Sequence, residues 1–185
     1  MNRRQTLLAF LALINVCACG DKASTSATDH AAVVVSAAST EASYEATISD
    51  GIDFAKEGYP VFVSEVTGVS GHEPWGRWTD ANAGGPVARF TFKERLPKNF
   101  TLTLVAGALG PNLGLPIKVK AGGQEQQFII GKGSDKPSAF ILKFSEVDGN
   151  TLEITPPAPC SPKSIGMNED TRRLGISLIS MKIRS

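Results

Sequence analysis

Histidine and cysteine are scarce, with two of the first and three of the second in 185 residues. Cys17 and Cys19 lie at the start of the chain, so the body of the sequence holds Cys160 alone. One cysteine cannot close an intramolecular disulfide, and stability must then come from an apolar core. One cysteine and two distant histidines also cannot supply the four ligands of a structural zinc site. Charge of either sign is missing in excess, since 19 basic side chains nearly balance 18 acidic ones. No basic block stands out, so nucleic-acid binding has no electrostatic footprint. Helical periodicity of useful length is absent after residue 50, and there is no internal repeat. No nucleophile elbow, metal-ligand cluster or Ser-His-Asp arrangement is present, and no cofactor is implied.

The one apolar run, "TLLAFLALINV", is too short to cross a bilayer as a mature helix, which takes about 20 residues. Arg3 and Arg4 precede it and small residues follow, the order of a secretory signal. Its end, "VCACGDK", resembles a bacterial lipobox. That resemblance implies cleavage between Ala18 and Cys19, a signal over 1–18, and acylation of Cys19. Ordinary secretion with cleavage nearby is the alternative. The residue after Cys19 is Gly20 rather than aspartate, which in the lipoprotein pattern favours the outer over the inner membrane. Residues 19–43 then read as the lipidated cysteine and a flexible Ala/Ser/Thr tether, in which His30 is a solvated linker residue.

From residue 44 the texture becomes short alternating segments with turns between them, the pattern of a β domain over 44–185. "VARFTFKERL" sets Ala88, Phe90 and Phe92 against Arg89, Thr91 and Lys93. "NFTLTLVAGA" sets Phe100, Leu102 and Leu104 against Thr101 and Thr103. "LPIKVKAGGQEQQFIIG" is a hairpin with its turn at Gly122-Gly123. "EATISDGIDF" also alternates before turning at Asp50-Gly51. In "LGISLISMKI" the inward set slips by one residue, which marks a bulge near Leu178 or a strand buried on both faces. About nine strands in roughly 140 residues fit an all-β fold, an antiparallel two-sheet sandwich or jelly roll.

Three stretches carry chemistry. "GHEPWGRWTD" holds both tryptophans. In an extended segment, Glu73, Trp75 and Arg77 share one side and Trp78 the other. One indole is then expected in the core, and the other partly exposed beside Arg77, near the loops around Asn112 and Asp170. A flat ring with a guanidinium–carboxylate pair suits a sugar's C–H face and hydroxyls. Core plugging by both rings is the competing reading. In "AGALGPNLGLP", Asn112 either offers an amide to a ligand or bonds its own turn. In "PPAPCSPKSIGMNEDTRRLGI", the longest irregular connection, Asp170 and Arg172 either meet a ligand or pair with each other. Glu73 with Asp80 or Asp170 could supply the two carboxylates of a glycoside hydrolase.

"EPWGRWTD", "ARFTFKERLPKNFTLTLVAGALGPN" and "SPKSIGMNEDTRRLGISLISMKI" together resemble an uncharacterised β-sandwich domain appended to bacterial phosphoglycerol transferases and membrane glycosyltransferases. The resemblance covers roughly residues 68–185. It implies a sandwich associated with envelope glycans, without the transferase or membrane helices of those proteins. The resulting expectation is a non-catalytic envelope lipoprotein on the periplasmic face, with a glycan-binding module using Glu73, Trp75, Arg77, Trp78, Asn112, Asp170 and Arg172. Its partners would be the membrane, through the lipid, and an envelope glycan or an envelope protein.

Overall fold

The computed structural model describes residues 43–134 and 136–185. The signal, Cys19, His30 and the tether through residue 42 lie outside the described residues. The described part is an antiparallel β-sandwich. Its strands are β1 (Ser43–Tyr44), β2 (Ile52–Asp53), β3 (Tyr59–Pro60), β4 (Val63–Thr67), β5 (Arg77–Asp80) and β6 (Ala88–Phe92), followed by β7 (Phe100–Ala108), β8 (Pro116–Ala121), β9 (Gln124–Ile129), β10 (Ser138–Phe144), β11 (Thr151–Thr155) and β12 (Leu174–Arg184). Nine of these have four or more residues, while β1, β2 and β3 are two-residue pairings. Among the described residues no helix is long and apolar enough to cross a membrane.

One layer runs β10-β7-β12-β2, with β5 also paired to β12; the other runs β4-β6-β11-β8-β9, and β1 and β3 form a separate parallel pair. The alternating residues face each other across the sandwich. Phe90, Leu102, Leu104, Ile117, Val119, Leu152, Ile154 and Ile176 are all sealed from solvent. Phe128 of β9 meets Phe140 of β10 with ring centroids 4.4 Å apart, closing one side between the two edge strands. At the β8–β9 turn, Gly122 and Gly123 both have positive φ, 49° and 87°. That is the backbone a two-residue hairpin of matching twist requires, and it explains the glycine pair.

Two details of the strand pattern have local causes. "EATISD" alternates but does not form a strand; it lies between β1, which ends at Tyr44, and β2, which begins at Ile52. The Asp50 carboxylate accepts from the Thr47 amide at 3.0 Å and from the Thr47 hydroxyl at 2.6 Å. This local hydrogen bonding outcompetes a ladder and curls the segment into a turn. In β12 both readings of the slip hold. Residues 174–178 are buried without alternation. The register against β7 then shifts between Leu178 and Ser180, leaving Ile179 as the extra residue. The Ile179 carbonyl accepts from the Phe54 amide at 3.0 Å.

Candidate functional site

The segment 69–80 is a tight hairpin. Val69 bridges Thr79, and Glu73 and Gly76 exchange both backbone hydrogen bonds at 3.0 Å. Pro74 and Trp75 form its two-residue tip. Where a ladder carbonyl would stand, the Ser70 hydroxyl accepts from the Trp78 amide at 3.0 Å. The returning limb is β5, which pairs with β12. Gly76 has φ 151°, and a Cβ there would stand 2.3 Å from the Leu178 carbonyl oxygen. Glycine thus lets the tip lie against β12.

The turn overturns the alternation argument, because Trp75 sits at a reversal and not along an extended strand. The indoles do not point apart. They meet edge to face, centroids 5.4 Å apart and planes at 74°. Neither is core: Trp75 is 39% exposed and Trp78 is half-buried.

Arg77 does not stand beside the exposed indole. It is 1% exposed, on the inner side of β5. Its guanidinium lies 4.6 Å over the Tyr59 ring and donates to the carbonyls of Ser70 and Gly58 at 3.2 and 3.3 Å. The inner placement follows from register, since Arg77 pairs with core Leu178.

The guanidinium that reaches Glu73 comes instead from Arg172, whose Nη1 is 3.0 Å from the Glu73 carboxylate. Asp170 grips the same group. Arg172 Nη2 donates to Oδ2 at 2.6 Å, Nε to Oδ2 at 3.0 Å, and the Arg172 amide to Oδ1 at 2.9 Å. This fork is the strong form of a charged hydrogen bond. It lowers the Asp170 carboxyl below its ordinary range, with the Arg172 side-chain bond the leading cause. Asp170 in turn raises the guanidinium's affinity for its proton. The surrounding loop is braced internally. Lys163 donates its amide to the Asp170 carbonyl at 2.9 Å and its ammonium to Glu169 at 2.8 Å. Ile165 and Met167 of this loop are exposed, at 39% and 63%. Cys160, a free thiol, pairs its backbone with Leu174, and partial burial raises its pKa.

Asn112 is fully buried at the end of a 3-10 turn, Gly110–Asn112. Its amide nitrogen donates to the carbonyls of Leu109 and Ala158 at 2.9 and 3.0 Å, and its oxygen accepts from the Ala158 amide at 2.9 Å. The side chain is thereby spent on joining this turn to the long loop.

Of the seven candidates, Glu73, Asp170 and Arg172 are brought together by side-chain bonds, and Trp75 and Trp78 by ring contact on the same hairpin. Arg77 and Asn112 turn inward. Sequence reasoning missed the Tyr59 platform under Arg77. It also missed a shallow cleft of about 350 Å³ whose lining includes Tyr44, Asp50, Asp53, Lys56, Ser180 and Lys182. Neither has a local signal, since each assembles from separate segments. Among the described residues no group of three or more His, Cys, Asp and Glu is placed to hold a metal ion.

Two curated relatives, phosphoglycerol transferase I of Salmonella typhi and of Salmonella typhimurium, are each 36% identical to this chain over 137 residues. The aligned part is 73% of this chain but only 17% of each relative. A solved structure, the apo form of CBM1 of BiXyn10A, is similar at 14% identity with a TM-score of 0.44, over 76% of this chain and 99% of that one. A family model described as a domain of unknown function, DUF7024, matches residues 36–185, and the chain belongs to that family.

Proposed function

We propose that the domain is a non-catalytic, carbohydrate-directed module of the cell envelope, and that Trp75 is its sugar platform. The observation that carries this reading is an indole 39% exposed at the tip of a tight hairpin, held edge-on by Trp78 at 5.4 Å. Two residues before it, Glu73 leads into the Arg172–Asp170 fork. An exposed ring offers a flat apolar face to sugar C–H groups, while carboxylates and a guanidinium match hydroxyls. Hydrolysis fits poorly, because Glu73 and Asp170 both hold Arg172 and neither carboxylate is left free to act as acid or nucleophile.

In this reading Cys19 is acylated and displays the module on the periplasmic face, the outer membrane favoured over the inner. The test is a glycan array containing periplasmic glucans and lipopolysaccharide fragments, run with the wild type and Trp75→Ala. Glycan binding by the wild type that is lost in a folded variant supports the platform. An array on which the wild type binds nothing refutes it. Partition of the wild type into detergent, abolished by Cys19→Ser, tests the anchor separately. The second reading is an envelope protein partner, favoured by exposed Ile165 and Met167 on the loop that carries Asp170. Capture that depends on Met167 and not on Trp75 is its signature.

A further inference from the structure

The two outer faces of the sandwich differ in charge. On the β4-β6-β11-β8-β9 sheet the outward cations are matched by acids. Arg89 meets Glu153 at 2.8 Å, and Lys118 meets Glu125 at 3.3 Å. On the other sheet, register sets Lys143, Thr101 and Arg184 side by side on β10, β7 and β12. The next outward row is Ile141, Thr103 and Lys182. Lys143, Lys182, Arg184 and Ile141 are all exposed, Ile141 at 67%. These two rows contain no acid. The nearest on the sheet is Asp53 of β2, opposite Ser180 in the following row. Lys182 also feels Asp50, whose carboxyl it helps to lower.

With neighbouring strands about 4.8 Å apart and outward residues about 6.7 Å apart along a strand, the three cations fall within an area of about 10 by 7 Å. A flat patch of this kind, three cations around an exposed isoleucine, complements the headgroup layer of an anionic bilayer. The ammonium and guanidinium groups meet phosphates, and the isoleucine enters the boundary beneath them. We propose that this outer face of β10, β7 and β12 docks on anionic phospholipid. The patch lies toward the C-terminal end of β12, while Arg172 precedes its first residue, Leu174. Arg77 pairs with Leu178 and Gly76 lies against the Leu178 carbonyl, so the hairpin tip stands only about 13 Å along β12 from Lys182. The proposal does not depend on that hairpin binding sugar, nor on an acyl group at Cys19.

The test uses the exported chain carrying Cys19→Ser, cosedimented with phosphatidylethanolamine vesicles containing phosphatidylglycerol, and with phosphatidylcholine vesicles. Binding is expected on the first only, and to fall as salt rises. A cation near an anionic surface contributes about fivefold, so the triple variant K143Q/K182Q/R184Q should bind roughly 100-fold more weakly. The triple R89Q/K118Q/K120Q on the opposite sheet, where Lys120 stands across from Glu125, should bind like the wild type. Ile141→Ser should weaken binding severalfold without changing its dependence on salt. Equal binding to both vesicle types overturns the proposal, as do equal losses in the two triples, which would mean that net charge and not this face is read. Circular dichroism of each triple confirms that it is folded, because all six side chains project outward from the strands.

Discussion

Replacing Asn112 with alanine separates a structural amide from a ligand-binding one. The side chain is fully buried and makes three hydrogen bonds, two to Ala158 and one to Leu109. Each is a neutral bond with a net contribution of about 1 kcal/mol, and the three orphaned backbone groups lie in partly dry surroundings. The expected loss is therefore about 3 kcal/mol. For a domain of this size that corresponds to a fall in Tm of about 10 °C. Asn112→Asp keeps the acceptor for the Ala158 amide but turns a buried carboxylate oxygen onto the Leu109 and Ala158 carbonyls, so it should cost at least as much as alanine. Urea unfolding and thermal melting measure the loss, with glycan binding followed in parallel at a temperature where each variant is folded. A loss below about 1 kcal/mol, accompanied by abolished binding, would refute the reasoning and return Asn112 to the ligand.

The two tryptophans should respond unequally to truncation. Trp75→Ala loses mainly one aromatic contact and should cost about 1 kcal/mol, while Trp78→Ala, which is more covered, should cost about 2–4 kcal/mol in the same urea titration; equal costs would mean that the hairpin tip is a structural plug. Gly76→Ala should be strongly destabilising, by about 2 kcal/mol or more, because alanine meets both the unfavourable φ and the Leu178 carbonyl; near-wild-type melting would contradict the close approach to β12. Asp170 has a folded pKa lowered from 3.8, so its contribution to stability is complete above that value and is lost as pH falls through the lowered one. The urea midpoints of wild type and Asp170→Asn should thus differ near neutrality and converge in strong acid, and a gap that does not change with pH would show that the carboxylate's charge is irrelevant.

The strands of the sandwich were legible because their cause is local. Phe90, Phe92, Leu102 and Leu104 alternate with polar residues, and burying one face of such a segment decides its orientation. Gly122-Gly123 names its own turn. The slip in "LGISLISMKI" marks the Ile179 bulge for the same reason, since period two cannot survive an inserted residue. The candidate site was less legible. An extended "EPWGRW" sends the indoles to opposite faces, yet Pro74 and Trp75 sit at the tip of a reversal closed by Glu73 and Gly76, and a reversal cancels that alternation. Spacing pairs Glu73 with Arg77, four residues away, but its partner is Arg172, 99 residues away. Nothing near Glu73 in the sequence could have selected Arg172 over Arg77. That choice was made by the register of β5 on β12, which turns Arg77 inward beside Leu178.

β12 also fixes the order in which half of the molecule can form. It lies between β7 on one side and β5 and β2 on the other, and it is the latest strand of the described residues to be synthesised. The bonds that seat it reach far back: the Ile176 amide donates to the Thr79 hydroxyl across 97 residues, and the Gly107 amide to the Ser177 hydroxyl across 70. The opposite sheet, in contrast, holds the β8–β9 hairpin, which needs only six-residue arms and a glycine pair. Local pairs close quickly and distant ones slowly, because the entropy of the intervening loop is lost before the contact stabilises anything. Folding should then begin from that hairpin's sheet, while β7, β10 and β5 wait with an apolar face uncovered. Until β12 arrives, that face is what a chaperone would have to shield.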